Sequence, residues 1–173
     1  MAKRKSGNTR IAVLMGSDSD MPVMRGTIAK LEDLGLGCEV HVLSAHRSPD
    51  ALARYVREAP KKGIKIFIAA AGGAAHLAGC VAAHTVLPVI GVPLVANDLG
   101  GMDALLATVQ MPSGVPVATV ATGQAGAANA AVLAAQILAL GDSRLAKRLA
   151  DFKHELAAGV AAKDKRVQEQ VGR

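Results

Sequence analysis

The chain is expected to fold as one doubly wound α/β domain, a five-stranded parallel sheet with helices on both faces in three layers. Two observations point there. Apolar strand patterns alternate with helical patterns five times along the 173 residues, which implies a parallel sheet covered on both sides. The right-handed crossover rule then winds the helices onto both faces. The length suits a single domain with a substantial core.

The elements follow in order. "RIAVLM" (10–15) is a short strand that stops at Gly16. Residues 20–34 form a helix, with Asp20 as N-cap, Pro22 in the first turn and Gly35 as stop. "CEVHVLS" (38–44) alternates like a strand. Residues 48–63 form a second helix with Ser48 as cap and Pro49 at its first position. "IKIFIAAA" (64–71) is a buried strand, residues 74–85 a helix and "LPVIGVP" (87–93) a strand. A short helix is expected over 101–109, a fifth strand over 115–121 and a long helix over 125–140 stopped by Gly141. From Asp142 a charged amphipathic helix is expected to fray after Ala162. The expected organisation is a disordered or extended basic N-terminus (1–9), a single α/β domain that would carry any catalysis (10–141) and a C-terminal helix and tail (142–173).

Composition removes several function classes. Half the residues are hydrophobic, but Tyr55, Phe67 and Phe152 are the only aromatics, so bases have no stacking platform. The net charge of +6 sits at the ends: residues 11–141 hold eight Lys or Arg against nine acids. Basic tails are ordinarily solvated charge, and no nucleic-acid face is expected. No apolar run approaches the roughly 20 residues of a membrane span, and no long apolar segment follows the basic start to make a secretory signal. Cys38 and Cys80 lack metal-ligand spacing and read as reduced thiols of a cytoplasmic protein. No metal site is expected. Residues 66–141 contain no Lys or Arg. Helices there that are apolar nearly all round need burial on all sides, which predicts a homo-oligomer packed through 74–85 and 127–140.

Ligands of such sheets bind beyond the carboxyl ends of the strands, where strand order reverses. The loops to read are therefore 16–20, 44–49, 71–76 and 94–101. "GSDSD" offers Gly16 for a sharp turn, the hydroxyls of Ser17 and Ser19, and N–H groups at a helix start suited to an anion. It lacks a Walker lysine. "SAHRSP" supplies Ser44, Arg47 as a planar cation for phosphate or carboxylate, and His46 for proton transfer near neutral pH. "AAAGGAAHLAG" places Gly72 and Gly73 at a strand end and His76 in the next turn. Plainer readings exist for each: an ordinary turn capped by Asp20, a surface His and Arg, a structural His76. His41, His84 and His154 read as structural. These residues alone reach a cytoplasmic α/β oligomer with a small phosphorylated ligand and a histidine for proton transfer.

From about Arg10 to Leu149 the chain resembles one family more specifically. "MGSDSD", "SAHRSPD", "AGGAAHLAG", "PVIGVP", "VQMPSGVPVATV" and "GAANAAVLAAQILA" occur in the order found in the N5-carboxyaminoimidazole ribonucleotide mutases of purine biosynthesis. The resemblance implies a flavodoxin-like fold, a homo-octamer, and no metal, ATP or other cofactor. It implies conversion of a carbamate ribonucleotide to 4-carboxy-5-aminoimidazole ribonucleotide, and a functional link to the carboxyaminoimidazole ribonucleotide synthetase. Ser17, Asp20 and Arg47 would then bind the ribose phosphate, with Ser19 and Ser44 lining the same region. His46 would shuttle the proton, and Gly72, Gly73, Ala74, His76 and Leu77 would surround the migrating carboxylate. A related branch that carboxylates the aminoimidazole directly tends to carry "SAHK" and a different segment in place of "GGAAHL", which Arg47 and Gly73–Leu77 argue against. A flavodoxin-like binding module without catalysis is the alternative of a different class. The departures are Ala78 for a usual Pro, Ser48 for Thr and Ala70 for Gly. Ala78 would leave its loop looser.

Overall fold

The computed structural model describes residues 9–96 and 98–172. The basic N-terminus lies outside them, apart from Thr9 at the start of the first strand. The chain forms two compact units, one ending at Ala134 and the other starting at Ala135.

In the first unit, β1 (Thr9–Met15), β2 (Gly37–Val42), β3 (Ile66–Gly72), β4 (Val89–Leu94) and β5 (Ala118–Thr119) alternate with helices. These are α1 (Met21–Asp33), α2 (Pro49–Glu58), α3 (Leu77–Ala82), α4 (Met102–Val109) and α5 (Gly123–Ala139), the last running on past the unit's end. All pairings are parallel, in the order β2-β1-β3-β4-β5. The doubly wound, flavodoxin-like fold is therefore present. Every residue from Ile11 to Met15 is buried, so both faces of β1 are covered. Ala12, Leu14, Phe67, Ala69 and Val89 share one cluster with Leu52 and Val56 of α2 and Leu77, Ala78 and Val81 of α3. Across the sheet, the Thr27 hydroxyl of α1 donates to the Ala127 carbonyl of α5 at 2.7 Å.

Two elements of this unit and one residue differ from expectation. The helix expected over 74–85 is only Leu77–Ala82. Gly73 takes a positive φ of 61°, and the N–H groups of Ala75 and His76 close tight turns onto Gly73 and Ala74 at 2.8 Å. The strand expected over 115–121 shrinks to Ala118–Thr119, paired only with Ile90 and Gly91. It lies at the sheet edge, and Pro116 has no N–H for the ladder. Ala78 sits not in a loop but, buried, as the second residue of α3. The freedom it adds relative to Pro therefore belongs to the unfolded chain.

Part of the open apolar surface lies within the expected 127–140, where Leu140 is 90% exposed. Leu77, Ala78 and Val81 of α3 are buried within this chain, as are Ala127, Ala130, Ala131 and Ala134 of α5. Exposed as well are Met102, Leu106 and Val109, spaced as one stripe along α4, and Leu99 in the turn before it.

At the other edge, Tyr55 of α2 donates to Glu39 Oε2 of β2 at 3.0 Å, and its ring lies 4.5 Å from that of His41. Burial first, then the hydrogen bond and charge of Glu39, raise the phenol above its ordinary value of 10.0. A raised folded value means that this contribution to stability is complete below pH 10 and is lost as pH rises through the folded value. Denaturant titrations at rising alkaline pH are expected to show a stability loss in the wild type that is smaller in Tyr55→Phe. Identical losses in both would remove Tyr55 from the account.

The second unit holds the end of α5 and helix α6 (Ser143–Gln170). Asp142 caps α6 by accepting from the Leu145 N–H at 3.2 Å. The helix does not fray after Ala162 but runs to Gln170. Pairs at i,i+4 spacing support both of its ends, Lys147 with Asp151 at 3.2 Å and Lys165 with Glu169 at 3.9 Å. Among the described residues no helix is long and apolar enough to cross a membrane.

Candidate functional site

Strand order reverses between β1 and β3, which pair from Ile11 with Ile66 to Met15 with Ala70. The loops leaving these strands therefore diverge over the sheet edge, and a cleft of about 360 Å³ opens there. Ser17, Ser19, Asp20, Ser44, His46, Arg47, Gly72, Ala74 and Leu77 all line it. Of the expected site residues, Gly73 and His76 do not. His76 is nevertheless tied to the cleft, because its Nδ1 lies 2.9 Å from His46 Nε2.

The turn after β1 is wired internally. Gly16 N–H donates to the Ala70 carbonyl at 3.2 Å, anchoring the turn to β3. Asp20 does not cap α1. It closes a capping box instead, its Oδ2 accepting from the Ser17 N–H at 3.0 Å. The Ser19 N–H donates to Ser17 Oγ at 3.3 Å and the Asp20 N–H to the Ser17 carbonyl at 3.3 Å. These N–H groups are thus engaged within the turn rather than held open for an anion. The hydroxyls of Ser17 and Ser19, 2.8 Å apart, are the groups that can rotate toward a ligand. Asp18 is exposed. Burial raises the Asp20 carboxyl above its ordinary range, opposed by the N–H groups of Ser17 and Gly16 and by the charge of Arg47. A carboxylate fixed at a cleft wall is an acceptor for hydroxyl donors such as those of a ribose.

The loop after β2 supplies the cation. Arg47 Nη2 donates to the Gly16 carbonyl at 3.0 Å, so one side chain bridges the two loops. Its N–H and Nε both approach Ser44 Oγ, at 3.1 and 3.4 Å. Ser48 does not cap α2 through its side chain; its hydroxyl turns back to Ser44.

The wall from β3 is built for closeness. A Cβ on Gly72 would collide with Ala96 Cβ and come within 3.1 Å of the Leu94 carbonyl. Only glycine fits where β3 and β4 end side by side. Ala45, Ala71 and Ala96 also line the cleft and were not singled out from the sequence. Small apolar residues carry no chemical signature, although Ala96 lies on a loop flagged by topology.

The two histidines of the site meet in a direct contact. Nitrogen to nitrogen at 2.9 Å requires one hydrogen and one lone pair, and the rings meet edge to face. The pair thus shares one hydrogen beside a cleft that contains a guanidinium, hydroxyls and a carboxylate. His41 instead packs against Tyr55, and His84 Nδ1 lies 2.8 Å from the Cys80 carbonyl. No cluster suited to a metal ion occurs among the described residues.

Residues 10–159 match the protein family described as AIR carboxylase. An N5-carboxyaminoimidazole ribonucleotide mutase of Mycobacterium tuberculosis (strain ATCC 25618 / H37Rv) is 51% identical over 95% of this chain and 93% of its own length. One from Thermotoga maritima is 47% identical over 94% of each. Among solved structures, Treponema denticola PurE superposes with a TM-score of 0.84 at 26% identity, covering 92% of this chain and 99% of that one.

Proposed function

The chain belongs to the AIR carboxylase family, and from that premise we propose that it is the mutase of purine biosynthesis. It converts N5-carboxyaminoimidazole ribonucleotide to 4-carboxy-5-aminoimidazole ribonucleotide. The observation that carries the proposal is the His46–His76 proton pair beside a cleft to which Arg47 brings a cation. Relatives near 50% identity over almost the whole chain carry the mutase name.

The carbamate C–N bond breaks, and the His46 imidazole delivers a proton to the departing amine nitrogen. Ring carbon 4 then attacks the released CO2, forming the C–C bond. The proton on that carbon passes to His46, which restores the pair, so the net transfer is one proton from carbon to nitrogen. Arg47, Ser17 and Ser19 hold the phosphate, with Ser44 beside them, and Asp20 accepts from the ribose hydroxyls. Gly72, Ala74 and Leu77 border the carboxylate, with Gly73 between them in the chain and His76 held on His46 behind. CO2 would otherwise escape, so a pocket of small residues that keeps the fragments together supplies much of the rate.

The assembly is a homo-octamer in the cytoplasm, with 10–141 as the catalytic domain. The α4 stripe of Met102, Leu106 and Val109, with the exposed Leu99 before it and Leu140 after α5, supports subunit packing. The test is an assay of purified protein with the carbamate, without ATP or added bicarbonate. Product formation is expected. No conversion would sink the proposal, and reaction only of the aminoimidazole ribonucleotide with high CO2 would make it a direct carboxylase.

A further inference from the structure

The loop that carries His46 and Arg47 is closed by one hydroxyl. Ser48 Oγ accepts from the Ser44 N–H at 3.1 Å and donates to the Ser44 carbonyl at 3.2 Å. The Ser48 N–H adds a second bond to that carbonyl at 3.0 Å. Both backbone polar groups of Ser44 are therefore held by the residue that begins the next element. Ser44 uses its own hydroxyl differently. Its oxygen faces the Arg47 N–H and Nε at 3.1 and 3.4 Å. From there the guanidinium reaches the Gly16 carbonyl at 3.0 Å.

The sequence of contacts is Ser48 to Ser44 to Arg47 to Gly16. Ser44 lines the cleft and Ser48 does not. With its oxygen occupied by Arg47, the Ser44 hydroxyl hydrogen remains to donate to an anion in the cleft. Arg47 is exposed and carries much rotamer entropy, so a fixed Ser44 reduces what a ligand must order on binding.

We propose that Ser48 is a positioning residue that sets the anion-binding geometry of Arg47 through Ser44, without touching the ligand. The inference rests on the reading of the cleft as a ribose phosphate site, not on the subsequent chemistry. Ribose 5-phosphate is therefore the probe, since it carries the phosphate and ribose without the reacting ring.

Equilibrium binding of ribose 5-phosphate is measured for the wild type, Ser48→Ala, Ser48→Thr, Arg47→Ala and the double variant with both alanines. Loss of one net hydrogen-bonding group predicts binding about fivefold weaker in Ser48→Ala. Ser48→Thr keeps the hydroxyl and is expected within about twofold of the wild type. If Ser48 acts through Arg47, the double variant binds no more weakly than Arg47→Ala alone. Multiplying losses in the double variant, or wild-type binding by Ser48→Ala, overturn the proposal. So does an absence of ribose 5-phosphate binding by the wild type. Melting temperatures are taken alongside, and a Ser48→Ala protein too unstable to assay would overturn a local positioning role. Failure of the carbamate assay with this binding series intact would sink the mutase reading and leave the positioning role standing.

Discussion

His46→Asn is expected to lower turnover by about 10²–10⁴-fold, the usual contribution of a positioned acid–base group. Nucleotide affinity should change by no more than a few-fold. Asn preserves a polar planar group of similar reach but cannot accept and return a proton. Its amide can still hydrogen-bond His76, whose Nδ1 lies 2.9 Å from His46 Nε2, so the loop should keep its place. The measurements are single-turnover kinetics and equilibrium binding of the product nucleotide. Comparable losses in both would make His46 a binding residue. Undiminished turnover would remove it from the chemistry.

The largest effect on stability is expected from Gly126→Ala. Gly126 is buried near the start of α5, and a Cβ there would overlap the Ala121 carbonyl. Backbone cannot yield as a flexible side chain can, so the loss should reach about 3 kcal/mol or more, at or above the usual range for overpacking. That corresponds to a drop of roughly 6–12 °C in Tm for a chain of this size. Gly159 of α6 is the control, because a Cβ there meets nothing within 4 Å. Gly159→Ala should stabilise by about 0.5–1 kcal/mol through backbone entropy. Denaturant melts of both variants decide the matter. A neutral Gly126→Ala would contradict the placement of α5 against residue 121.

Much of the fold could be read from local pattern. "IAVLM", "IKIFIAAA" and "LPVIGVP" are buried strands because apolar runs of that length bounded by Gly or Pro have few other uses. Their alternation with helices put 16–20, 44–49 and 71–76 at one sheet edge before any coordinates. What could not be read depends on contacts distant in sequence. The short β5 reflects an edge position beside Gly91, whose missing Cβ leaves room for Thr108 and Val117. The brevity of α3 follows from the turn geometry of Gly73, Ala75 and His76, which an apolar pattern does not record. Within the site, Ser17, Arg47 and His46 announced themselves by chemistry. The His46–His76 contact spans thirty residues, and Ala96 enters only because β4 ends beside β3. Asp20 and Ser48 were legible as helix-start residues. Their side chains turn back toward Ser17 and Ser44, a choice that propensity alone does not resolve.

Tyr55 has a practical consequence. The chain contains one Tyr and no Trp, so intrinsic ultraviolet fluorescence comes from a single known position. That position joins β2 to α2, the two elements flanking the loop that carries His46 and Arg47. Its hydroxyl rests on the Glu39 carboxylate at 3.0 Å, and a carboxylate accepting from a tyrosine quenches its emission. Fluorescence from the unlabelled protein therefore reports whether α2 remains docked on β2. Detachment of α2 from β2 and global unfolding can be followed at one residue without an introduced dye.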